Sequence, residues 1–510
     1  MNRNKRSKVT DGLHVSAEIV KKISEFLLSS GKNVSEEFAI EGVSFWIAAQ
    51  PDLALHIFPP LLFKYTGNQY KIFHIKNWMK SIKYQFKEFK KIFSSHIDYS
   101  CSRSEKDIWL LLSTTDYIYR DTLQPLEDEI LKSCPDIHVE SYASMRKKKL
   151  HTYSLSEAGL IYKKYINYRR EFKLKSDHFF KNDFNRLCSI LPEISKINLY
   201  EAFYWFFNVF VQRNIINAII AQYWFKYLKP KKIISGDVAD PLNRIYTEVG
   251  KKAGISIIDL QFGIYDETSV EWMFCSATKI AVWGKYFSTL FEKVHYIDPD
   301  RLVVTGSPRF DYLVEEKQVG YSRNDSNANN RIQLLFASMY TSISDYDANY
   351  DVNSINAFKK IVIDTVKKFD KIHLVIKPHP LEDISWIADY DNENITILDK
   401  KSDIRKHILE SDIFLTFGST ATFDALLRKK LILSADTPGL VWWDDIFLKY
   451  NASIPICSKA ELISVLQNFI NNRNIMLREN NSRISNFLSD KLFNNENKAS
   501  LRVISLALNI

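Results

Sequence analysis

The chain has 510 residues, too many for a single hydrophobic core, and this length predicts two or three domains. Its 46% apolar and 25% charged content is that of a globular protein and excludes a disordered chain. The formal net charge of +9 fits either a solvated basic surface or attraction to anionic lipid headgroups or an anionic acceptor. Because no recognised nucleic-acid-binding module is present, we expect no nucleic acid partner.

Five scattered cysteines and the absence of a hydrophobic leader predict a cytoplasmic location. The cysteines never form a CxxC pair, which argues against a disulfide framework or a zinc site (Cys101, Cys134, Cys188, Cys275, Cys457). The basic start, MNRNKRSKVTDGLHVS, is not followed by an apolar segment. The most apolar stretch, 203–225, contains Gln212 and Arg213, so it predicts a buried helix and not a membrane span.

The N-terminal part of the chain shows two patterns in succession. Residues 1–105 hold amphipathic, aromatic-rich segments, and we expect a mainly helical extension. From residue 106, strands alternate with helices, which indicates βαβ units and a parallel sheet. The predicted strands are DIWLLLS, KKIISGD, ISIIDLQFG, KIAVW and RLVVTGS, with a helical stretch up to about residue 228. We therefore predict an N-terminal Rossmann-like domain at 106–320.

The same alternation restarts after an Asn-rich segment at 321–331, which reads as an exposed linker. The predicted strands are IQLLFAS, IHLVIKPHP, ITILD, DIFLTFGS and LILSAD. Residues 321–510 are therefore predicted to form a second Rossmann-like domain. The expected fold class is α/β, with two Rossmann-like domains facing a central cleft and an N-terminal helical extension.

The stretch IHLVIKPHPLED, 372–383, places a cation and an imidazole at the end of a buried strand. Pro378 and Pro380 have no N–H to donate, so the strand must end there. Lys377 and His379 therefore lie at a strand's carboxyl end, where open α/β sheets bind ligands.

A second group of polar residues follows the strand in SDIFLTFGSTATFDALL, 411–427. Gly418 permits a tight turn, and the hydroxyls of Ser419 and Thr420 can cap the next helix. The amides and dipole at that helix start suit an anion, whereas simple capping is the alternative. Lys377 and His379 end a strand of the same sheet, and the combined groups suit a phosphate or sugar-phosphate.

Two aspartates follow the strand in KKIISGDVADPLNR. Asp240 precedes Pro241 at a helix start and is explained by N-capping. Asp237 lies directly at the strand's carboxyl edge, and we predict that it is the catalytic carboxylate, with a turn-forming role as the alternative. Such a group can act as a general base or as a nucleophile in a group-transfer reaction. Glu41 and Asp116 are the reserve candidates.

No metal ion or other cofactor is implied by the sequence. The P-loop pattern and the GxGxxG fingerprint are both absent, and the histidines form no paired-ligand motif. DYD at 345–347 imitates a metal-binding DxD, but it lies in a polar loop, and we attribute it to chance.

The order of TGSPRFD (305–311), KPHP (377–380) and FGSTATFDALL (417–427) resembles bacterial surface-polysaccharide glycosyltransferases of the GT-B architecture. Within that group the His-Pro pair and the Ser/Thr loop are similar to CMP-sugar enzymes, namely capsule and O-antigen Kdo transferases and bacterial sialyltransferases. The likeness covers about 106–500. It implies that 321–510 bind the nucleotide-sugar and that 106–320, with the extension 1–105, form the acceptor-side domain. In such a glycosyl transfer Asp237 would deprotonate the acceptor, or attack the anomeric carbon if configuration is retained. The likeness also implies that the nucleotide or donor is bound by one set of residues: Lys377, His379, Glu382, Gly418, Ser419, Thr420, Gly306 and Ser307. For Glu382, an exposed loop carboxylate is the alternative.

The resemblance also points to two residues for the acceptor or donor sugar. Relatives often show Gln-His-Gly after a strand, and here the triplet is Gln261-Phe262-Gly263, with an apolar ring in the second place. Either the specificity differs or this position only packs. Gln261 and Glu41 are assigned to the sugar, Glu41 because some relatives have a similar Gly-x-x-x-Trp segment near the N-terminus.

The resemblance predicts a metal-independent glycosyltransferase. It would move Kdo or a sialic-acid-like sugar from a CMP-activated donor to a growing surface polysaccharide or glycolipid. One alternative is transfer of glycerol phosphate from CDP-glycerol, because those enzymes share a His and a Ser-Ser/Thr-x-x-x-Asp segment. A second alternative is a non-catalytic scaffold of a polysaccharide assembly complex.

Two basic, aromatic-rich segments at 71–91 and 145–175 suit peripheral attachment to the inner face of the membrane. In the first segment apolar residues recur among lysines at near-helical spacing. The alternative is a core-facing helix with a solvated basic side.

Overall fold

The computed structural model describes residues 3–29, 38–63, 106–142, 155–319, 331–339, 352–380, 382–387, 390, 394–436, 446–492 and 497–510. Four sequence features lie wholly or partly outside these residues: the basic segment 71–91, residues 145–154 of the second basic segment, the DYD triplet and all but the last residue of the Asn-rich segment. The chain forms two compact units. The N-terminal unit comprises Asp11–Phe262, Glu267–Val314 and Asn495–Ile510, and the C-terminal unit comprises Met1–Thr10, Gly263–Asp266 and Glu315–Asn494.

The N-terminal unit contains a six-stranded sheet in the order β4-β3-β5-β6-β7-β8, in which all neighbouring strands are parallel. Its strands are β3 (Asp107–Leu112), β4 (Ile137–Ser141), β5 (Lys232–Ser235), β6 (Ser256–Leu260), β7 (Lys279–Val282) and β8 (Leu302–Val304). A short antiparallel hairpin precedes them, made of β1 (Ala39–Ile40) and β2 (Val43–Ser44). The strands are short apolar runs because a parallel sheet is buried on both faces.

Most of the sequence between these strands is helical. The helices are α1 (Arg3–Ser29), α2 (Phe45–Asp52), α3 (Phe58–Phe63), α4 (Asp116–Ile118), α5 (Gln124–Ser133), α6 (Leu155–Asn182), α7 (Phe184–Ile190), α8 (Lys196–Trp205), α9 (Gln212–Leu228), α10 (Pro241–Lys252), α11 (Lys285–Lys293), α12 (Tyr312–Val319, which belongs to the C-terminal unit from Glu315) and, at the C-terminus, α18 (Ala499–Leu508). Wider π-helical turns at Leu53–Ile57, Tyr119–Leu123 and Phe206–Val211 join consecutive helices. Short 3₁₀ turns occupy Val270–Phe274, Pro299–Arg301 and Pro308–Phe310.

The apolar stretch 203–225 forms buried helix, as predicted. It runs through α8, the π-helical turn and α9, where Phe203, Phe206, Ile215 and Ile219 are all buried. Phe206 and Phe203 pack on Trp46 of α2, which ties the N-terminal extension into the core. Within the described residues, no helix is both long and apolar enough to cross a membrane.

The C-terminal unit contains a second six-stranded parallel sheet, in the order β11-β10-β9-β12-β13-β14. Its strands are β9 (Ile332–Ala337), β10 (Ile372–Lys377), β11 (Ile395–Ile397), β12 (Ile413–Thr416), β13 (Leu431–Ala435) and β14 (Ile454–Ile456). Its helices are α13 (Val352–Val366), α14 (Ile404–Glu410), α15 (Ala421–Leu427), α16 (Ile446–Lys449) and α17 (Lys459–Lys491). Helices α13 and α17 pack on one apolar face of the sheet through residues such as Phe358, Val362 and Leu466.

The predicted α/β class with two Rossmann-like domains is confirmed by these two sheets. The division at residues 105 and 320 stays a prediction. In the structure the last helix, α18, packs with the N-terminal unit: Val503, Ile504 and Ala507 join the core formed by β3, β5, β6 and α5.

Candidate functional site

The strand order of the C-terminal unit brings two predicted loops to the same edge of its sheet. Lys377 at the end of β10 and Thr416 at the end of β12 both align with Ala337 of β9, which lies between them. Two strand spacings separate these ends, a distance of about 10 Å. The loop 377–382 and the loop 418–420 therefore flank the carboxyl end of β9, where parallel sheets bind ligands.

Lys377 is buried and its ammonium contacts backbone carbonyls. Its Nζ donates to the carbonyl of Pro378 at 2.8 Å and to that of Lys400 at 2.7 Å. These bonds hold the KPHP turn against the loop after β11. The structure thus gives Lys377 a local role in shaping the turn, whereas its predicted contact with a donor phosphate stays a prediction.

His379 is half-buried on the same turn. Burial lowers its pKa below the ordinary value, and the nearby ammonium of Lys377 acts in the same direction, whereas Glu382 opposes them. The imidazole is therefore neutral at pH 7 and offers one N–H donor and one acceptor nitrogen. The backbone of His379 is fixed by Glu382, whose carboxylate accepts its N–H at 3.0 Å.

Glu382 is the centre of a buried polar network. Its side chain is 1% exposed, so it is not an exposed loop carboxylate. Lys359 of α13, itself 0% exposed, donates to it at 2.5 Å, and Ser338 and the indole of Trp386 donate at 2.8 and 3.1 Å. Lys400 Nζ donates to its carbonyl at 2.7 Å. Because its carboxylate oxygens accept four donors, including the N–H of His379, Glu382 holds the turn rather than presenting a bare carboxylate.

The loop after β12 turns sharply into α15. Gly418 has a φ of +87°, a conformation that favours glycine. Ser419 Oγ accepts the N–H of Ala421 at 3.3 Å, whereas the N-cap residue Thr420 makes no side-chain capping bond. The N–H of Ser419 bonds Thr416 Oγ1 at 3.0 Å, so several amides at this helix start are already bonded. Exposed Ser419 and half-buried Thr420 hydroxyls remain as the groups that can face a ligand.

In the N-terminal unit, Asp237 lies just beyond β5 and is 6% exposed. Its Oδ1 accepts the N–H of Ala239 at 3.0 Å, which closes a local Asx turn. Burial, together with the neighbouring carboxylate of Asp240, raises the pKa of Asp237 to about 7. A carboxyl group with this pKa exchanges protons near neutral pH, as a general base requires.

Asp240 behaves as the sequence predicts: it is the N-cap of α10, and its Oδ1 accepts the N–H of Leu242 at 2.9 Å. Thr114 Oγ1, at the end of β3, donates to its other oxygen. The loop between Asp237 and Asp240 is clamped by Arg244, which donates to the carbonyls of Val238 and Ala239 at 3.1 and 2.6 Å.

Gln261 and Glu41 have structural partners of their own. Gln261 is buried, and its Oε1 accepts the N–H of Trp283 at 2.9 Å, so its side chain supports the end of β7. Glu41 lies in the β1–β2 turn with a φ of +50° and accepts Lys164 Nζ at 2.7 Å. Burial alone would raise the pKa of Glu41, but hydrogen bonds from Lys164 and Tyr168 lower it. Their assignment to a sugar stays a prediction.

Gly306 and Ser307 belong to the N-terminal unit, whereas Lys377, His379, Glu382 and Gly418–Thr420 belong to the C-terminal unit. Gly306 and Ser307 lie in the TGSPRFD motif (305–311), and this motif is hydrogen-bonded to the last helix, α18. Both carboxylate oxygens of Asp311 accept backbone N–H groups of α18, at 2.6 and 2.8 Å, and Arg502 donates to the carbonyl of Thr305 at 2.6 Å. The Ser307 hydroxyl is buried and has no hydrogen-bond partner in the described part of the chain.

The structure adds residues that sequence patterns did not single out. Lys359, Ser338 and Trp386 surround Glu382, and they come from distant segments that no local motif connects. Arg244 contacts the loop that contains Asp237, and Asp259 lies on β6, the strand beside β5. Asp259 did leave a signal, because it interrupts the apolar strand ISIIDL.

Comparison with solved structures finds distant likenesses. The Staphylococcus aureus MnaA–UDP structure is 13% identical, with 79% of this chain and 97% of that chain covered and a TM-score of 0.48. A variant of the wall teichoic acid polymerase TagF with a histidine replaced by asparagine is 11% identical, with 86% and 97% covered and a TM-score of 0.46. Neisseria meningitidis UDP-GlcNAc 2-epimerase bound to UDP-GlcNAc is 12% identical, with 79% and 100% covered and a TM-score of 0.46.

No curated protein matches the chain. A sequence model of the CDP-Glycerol:Poly(glycerophosphate) glycerophosphotransferase family matches residues 152–438, more than half of the chain. This match does not support transfer of Kdo or sialic acid from a CMP-sugar; it supports the CDP-glycerol alternative. The CMP-sugar hypothesis depended on short motifs that mark strand ends and turns. Such motifs do not distinguish one cytidine-activated donor from another. The match identifies this chain as a member of the CDP-glycerol:poly(glycerophosphate) glycerophosphotransferase family, a transferase that acts on a nucleotide-activated donor.

Proposed function

We propose that this protein transfers glycerol phosphate from CDP-glycerol to a hydroxyl group of a growing surface glycopolymer. The family match over 152–438 supports the donor and the reaction class. The observation that carries the chemistry is Asp237, a buried carboxyl group with a pKa of about 7 at a strand's carboxyl edge.

In this proposal the acceptor hydroxyl attacks the phosphorus that bears the glycerol. A new P–O bond to the acceptor forms, the P–O bond of the anhydride breaks, and CMP leaves with the electron pair of that bond. Asp237 takes the proton of the hydroxyl group, which is general base catalysis. Phosphoryl transfer of this kind depends mainly on positioning and charge stabilisation, so no covalent enzyme intermediate is required.

We assign the diphosphate of the donor to the carboxyl edge of the C-terminal sheet. His379 and the hydroxyls of Ser419 and Thr420 supply hydrogen-bond donors there, on loops fixed by Glu382 and Gly418. Lys377, with its ammonium on two carbonyls, sets the turn that carries His379. A neutral imidazole and hydroxyls bind an anion by hydrogen bonds rather than by full charges.

A donor panel tests the proposal. The purified full-length chain is incubated with CDP-glycerol, CMP-Kdo or CMP-sialic acid and a glycerophosphate-primed acceptor, and products are followed by mass spectrometry. We expect release of CMP and extension by glycerol phosphate with CDP-glycerol alone. Consumption of a CMP-sugar would restore the glycosyltransferase hypothesis, and consumption of no donor would favour the scaffold.

We further propose that the protein works as a peripheral membrane protein beside an anionic surface. Its first basic segment, 71–91, lies outside the described residues, but much of the second forms α6. On the exposed side of that helix, Ile166 and Leu174 lie among Lys163, Arg170 and Lys173. Apolar and cationic side chains on one helix face suit the headgroup region of an anionic bilayer.

A further inference from the structure

Behind the Asp237 loop, the N-terminal unit contains a small cavity with a polar lining. Its volume is about 10 Å³, and Asp237, Asn243 and Asp259 are among the residues that line it. A volume of about 10–15 Å³ is what one water molecule requires. The cavity is therefore too small for a sugar or a nucleotide, but it can hold a single water molecule.

Two acceptor atoms of the lining residues have no partner in the described part of the chain. They are Oδ1 of Asn243, a residue that is 1% exposed, and Oδ1 of Asp259, a residue that is 4% exposed. Buried acceptors without a donor are rare and costly, and ordered water is their usual partner. One water molecule has two O–H groups, which match these two acceptors.

Both residues also hold the backbone of Asp237. Asn243 Nδ2 donates to the Asp237 carbonyl at 3.0 Å. The Asp237 N–H donates to Ser235 Oγ at 3.4 Å, and the Ser235 side chain is hydrogen-bonded to the Asp259 carboxyl group. Ser235 and Asp259 are register partners on adjacent parallel strands, so their side chains lie on the same face of the sheet. Asp237 is thus held at its carbonyl by one residue and at its N–H through the other.

We propose that this cavity binds one water molecule that donates to Asn243 Oδ1 and Asp259 Oδ1, and that Asp259 is a positioning residue for Asp237. The water links Asn243, which bonds the Asp237 carbonyl, to Asp259, which acts on the Asp237 N–H through Ser235. The three side chains and the water then form one hydrogen-bonded network. The second carboxylate oxygen of Asp259, Oδ2, already has a partner, because Cys275 Sγ lies 3.1 Å from it. This assignment of a positioning role rests on the proposed catalytic function of Asp237.

A crystal structure of the full-length chain at high resolution tests the water site without any assay. We expect one solvent peak within hydrogen-bonding distance, about 3 Å, of both Oδ1 atoms. An empty cavity, or a peak that reaches only one of the two atoms, would overturn the water site.

Hydrogen exchange and kinetics of Asp259→Leu test the positioning role. This change removes both acceptor oxygens and keeps the branched shape of the side chain, and we expect the Asp237 amide to exchange at least about tenfold faster. In turnover with CDP-glycerol, kcat should fall about tenfold, with KM little changed and the acidic limb of the pH profile displaced. Asp259→Asn, which keeps one acceptor oxygen and the shape, should restore much of both properties.

Glu140→Gln serves as the matched control, because Glu140 is a fully buried acid on β4 and does not line the cavity. It should leave the exchange of the Asp237 amide and the pH profile unchanged. Unaltered exchange in Asp259→Leu would refute the positioning role. If the native protein turns over no CDP-glycerol, the proposed function fails, and the solvent peak and the exchange rates still decide this inference.

Discussion

At the residue scale, the two carboxylates Asp237 and Glu382 are buried to a similar extent but have different surroundings. Glu382 accepts four hydrogen bonds, one of them from an ammonium group. Asp237 has the N–H of Ala239 as a partner and faces the like charge of Asp240. The first environment stabilises a carboxylate within the fold, whereas the second one prepares a carboxyl group for proton exchange.

The pH dependence of turnover follows from the pKa of Asp237, which is about 7. A base must be deprotonated, so the rate should rise tenfold per pH unit below pH 7 and level off above it. Asp237→Asn should lower kcat by about 10²- to 10⁴-fold at pH 8, while CDP-glycerol still binds by calorimetry. Asp240→Asn is the control. A collapse of turnover in Asp240→Asn with a near-normal rate in Asp237→Asn would reassign the base.

The raised pKa of Asp237 also makes the stability of the fold depend on pH. The direction of this dependence is opposite to that given by a salt-bridged carboxylate, whose pKa is lowered. The folded state binds this proton more tightly than the unfolded state does. The stabilisation is therefore fully present below the ordinary value of 3.8 and is lost as the pH rises through about 7. Thermal unfolding of the native protein and of Asp237→Asn between pH 5 and 8 should diverge in this direction. Parallel curves would contradict the assigned pKa.

Glu382→Gln should destabilise the C-terminal unit, because it leaves Lys359 buried without a counter-charge. Breaking a buried pair by removing one partner costs about 3–5 kcal/mol. Hydrogen exchange of α13 and β10 in mild urea measures the change. The neighbouring Asp383→Asn is the control, since Asp383 is solvent-exposed and bonds Ser385 alone among the described residues. Equal exchange in the two variants would show that the network contributes little.

Sequence reasoning identified the positions of these residues better than their partners. The prolines after Lys377 placed that residue at a strand end, and Pro241 placed Asp240 at a helix cap, because both signals are local. The partners Lys359, Ser338 and Arg244 could not be inferred, since they meet their carboxylates or carbonyls only through tertiary packing. Likewise, no pattern could show that the Lys377 ammonium is bonded to two carbonyls.

At the scale of elements, α10 and α2 act together on the Asp237 loop. Arg244 of α10 donates to two loop carbonyls, to the carbonyl of Ala48 in α2 at 2.7 Å, and to the carboxylate of Asp52. The N-terminal extension is thereby tied to the loop that carries the proposed base. The alternation of strands and helices was readable from hydrophobic pattern, whereas this connection between a helix of the extension and a distant loop was not.

Arg244→Met tests this connection. Loss of the guanidinium removes its hydrogen bonds to Asp52 and to three carbonyls, and we expect the free energy of local opening at α10 to fall by about 3–5 kcal/mol. Asp52→Asn keeps the carbonyl contacts of Arg244 and should cost about 1–3 kcal/mol. Hydrogen exchange of peptides from 237–252 reports both values. The clamp would be refuted if Asp52→Asn were the more damaging change.

At the scale of the whole molecule, the end of the chain, from Asn495 onwards, belongs again to the N-terminal unit after the C-terminal unit is complete. Asp311 caps α18 with both carboxylate oxygens, and Arg502 reaches back to Thr305. The TGSPRFD motif thus has a structural task, which explains why it is a poor guide to the donor. Two Rossmann-like domains were predictable because each strand–helix series is complete in sequence. The return of the last helix was not, because its partners lie almost 200 residues earlier, as Thr305 and Asp311 do, or still further back in β3 and α5.

The net charge of +9 favours attraction of the whole molecule to an anionic bilayer, and this attraction can be measured. Each Lys or Arg near an anionic bilayer contributes about 1 kcal/mol, so neutralising two of the three exposed cations named on this face of α6, in Arg170→Gln/Lys173→Gln, should weaken binding about thirtyfold. Liposome co-sedimentation with phosphatidylserine vesicles measures this at low salt, and binding should decline as the Debye length shortens to about 10 Å at 0.1 M salt. Lys293→Gln, on the exposed side of α11, is the matched control and should bind as the native protein does. If native protein fails to sediment with anionic vesicles at low salt, the peripheral attachment is wrong, and if the α6 variant binds normally, another surface carries it.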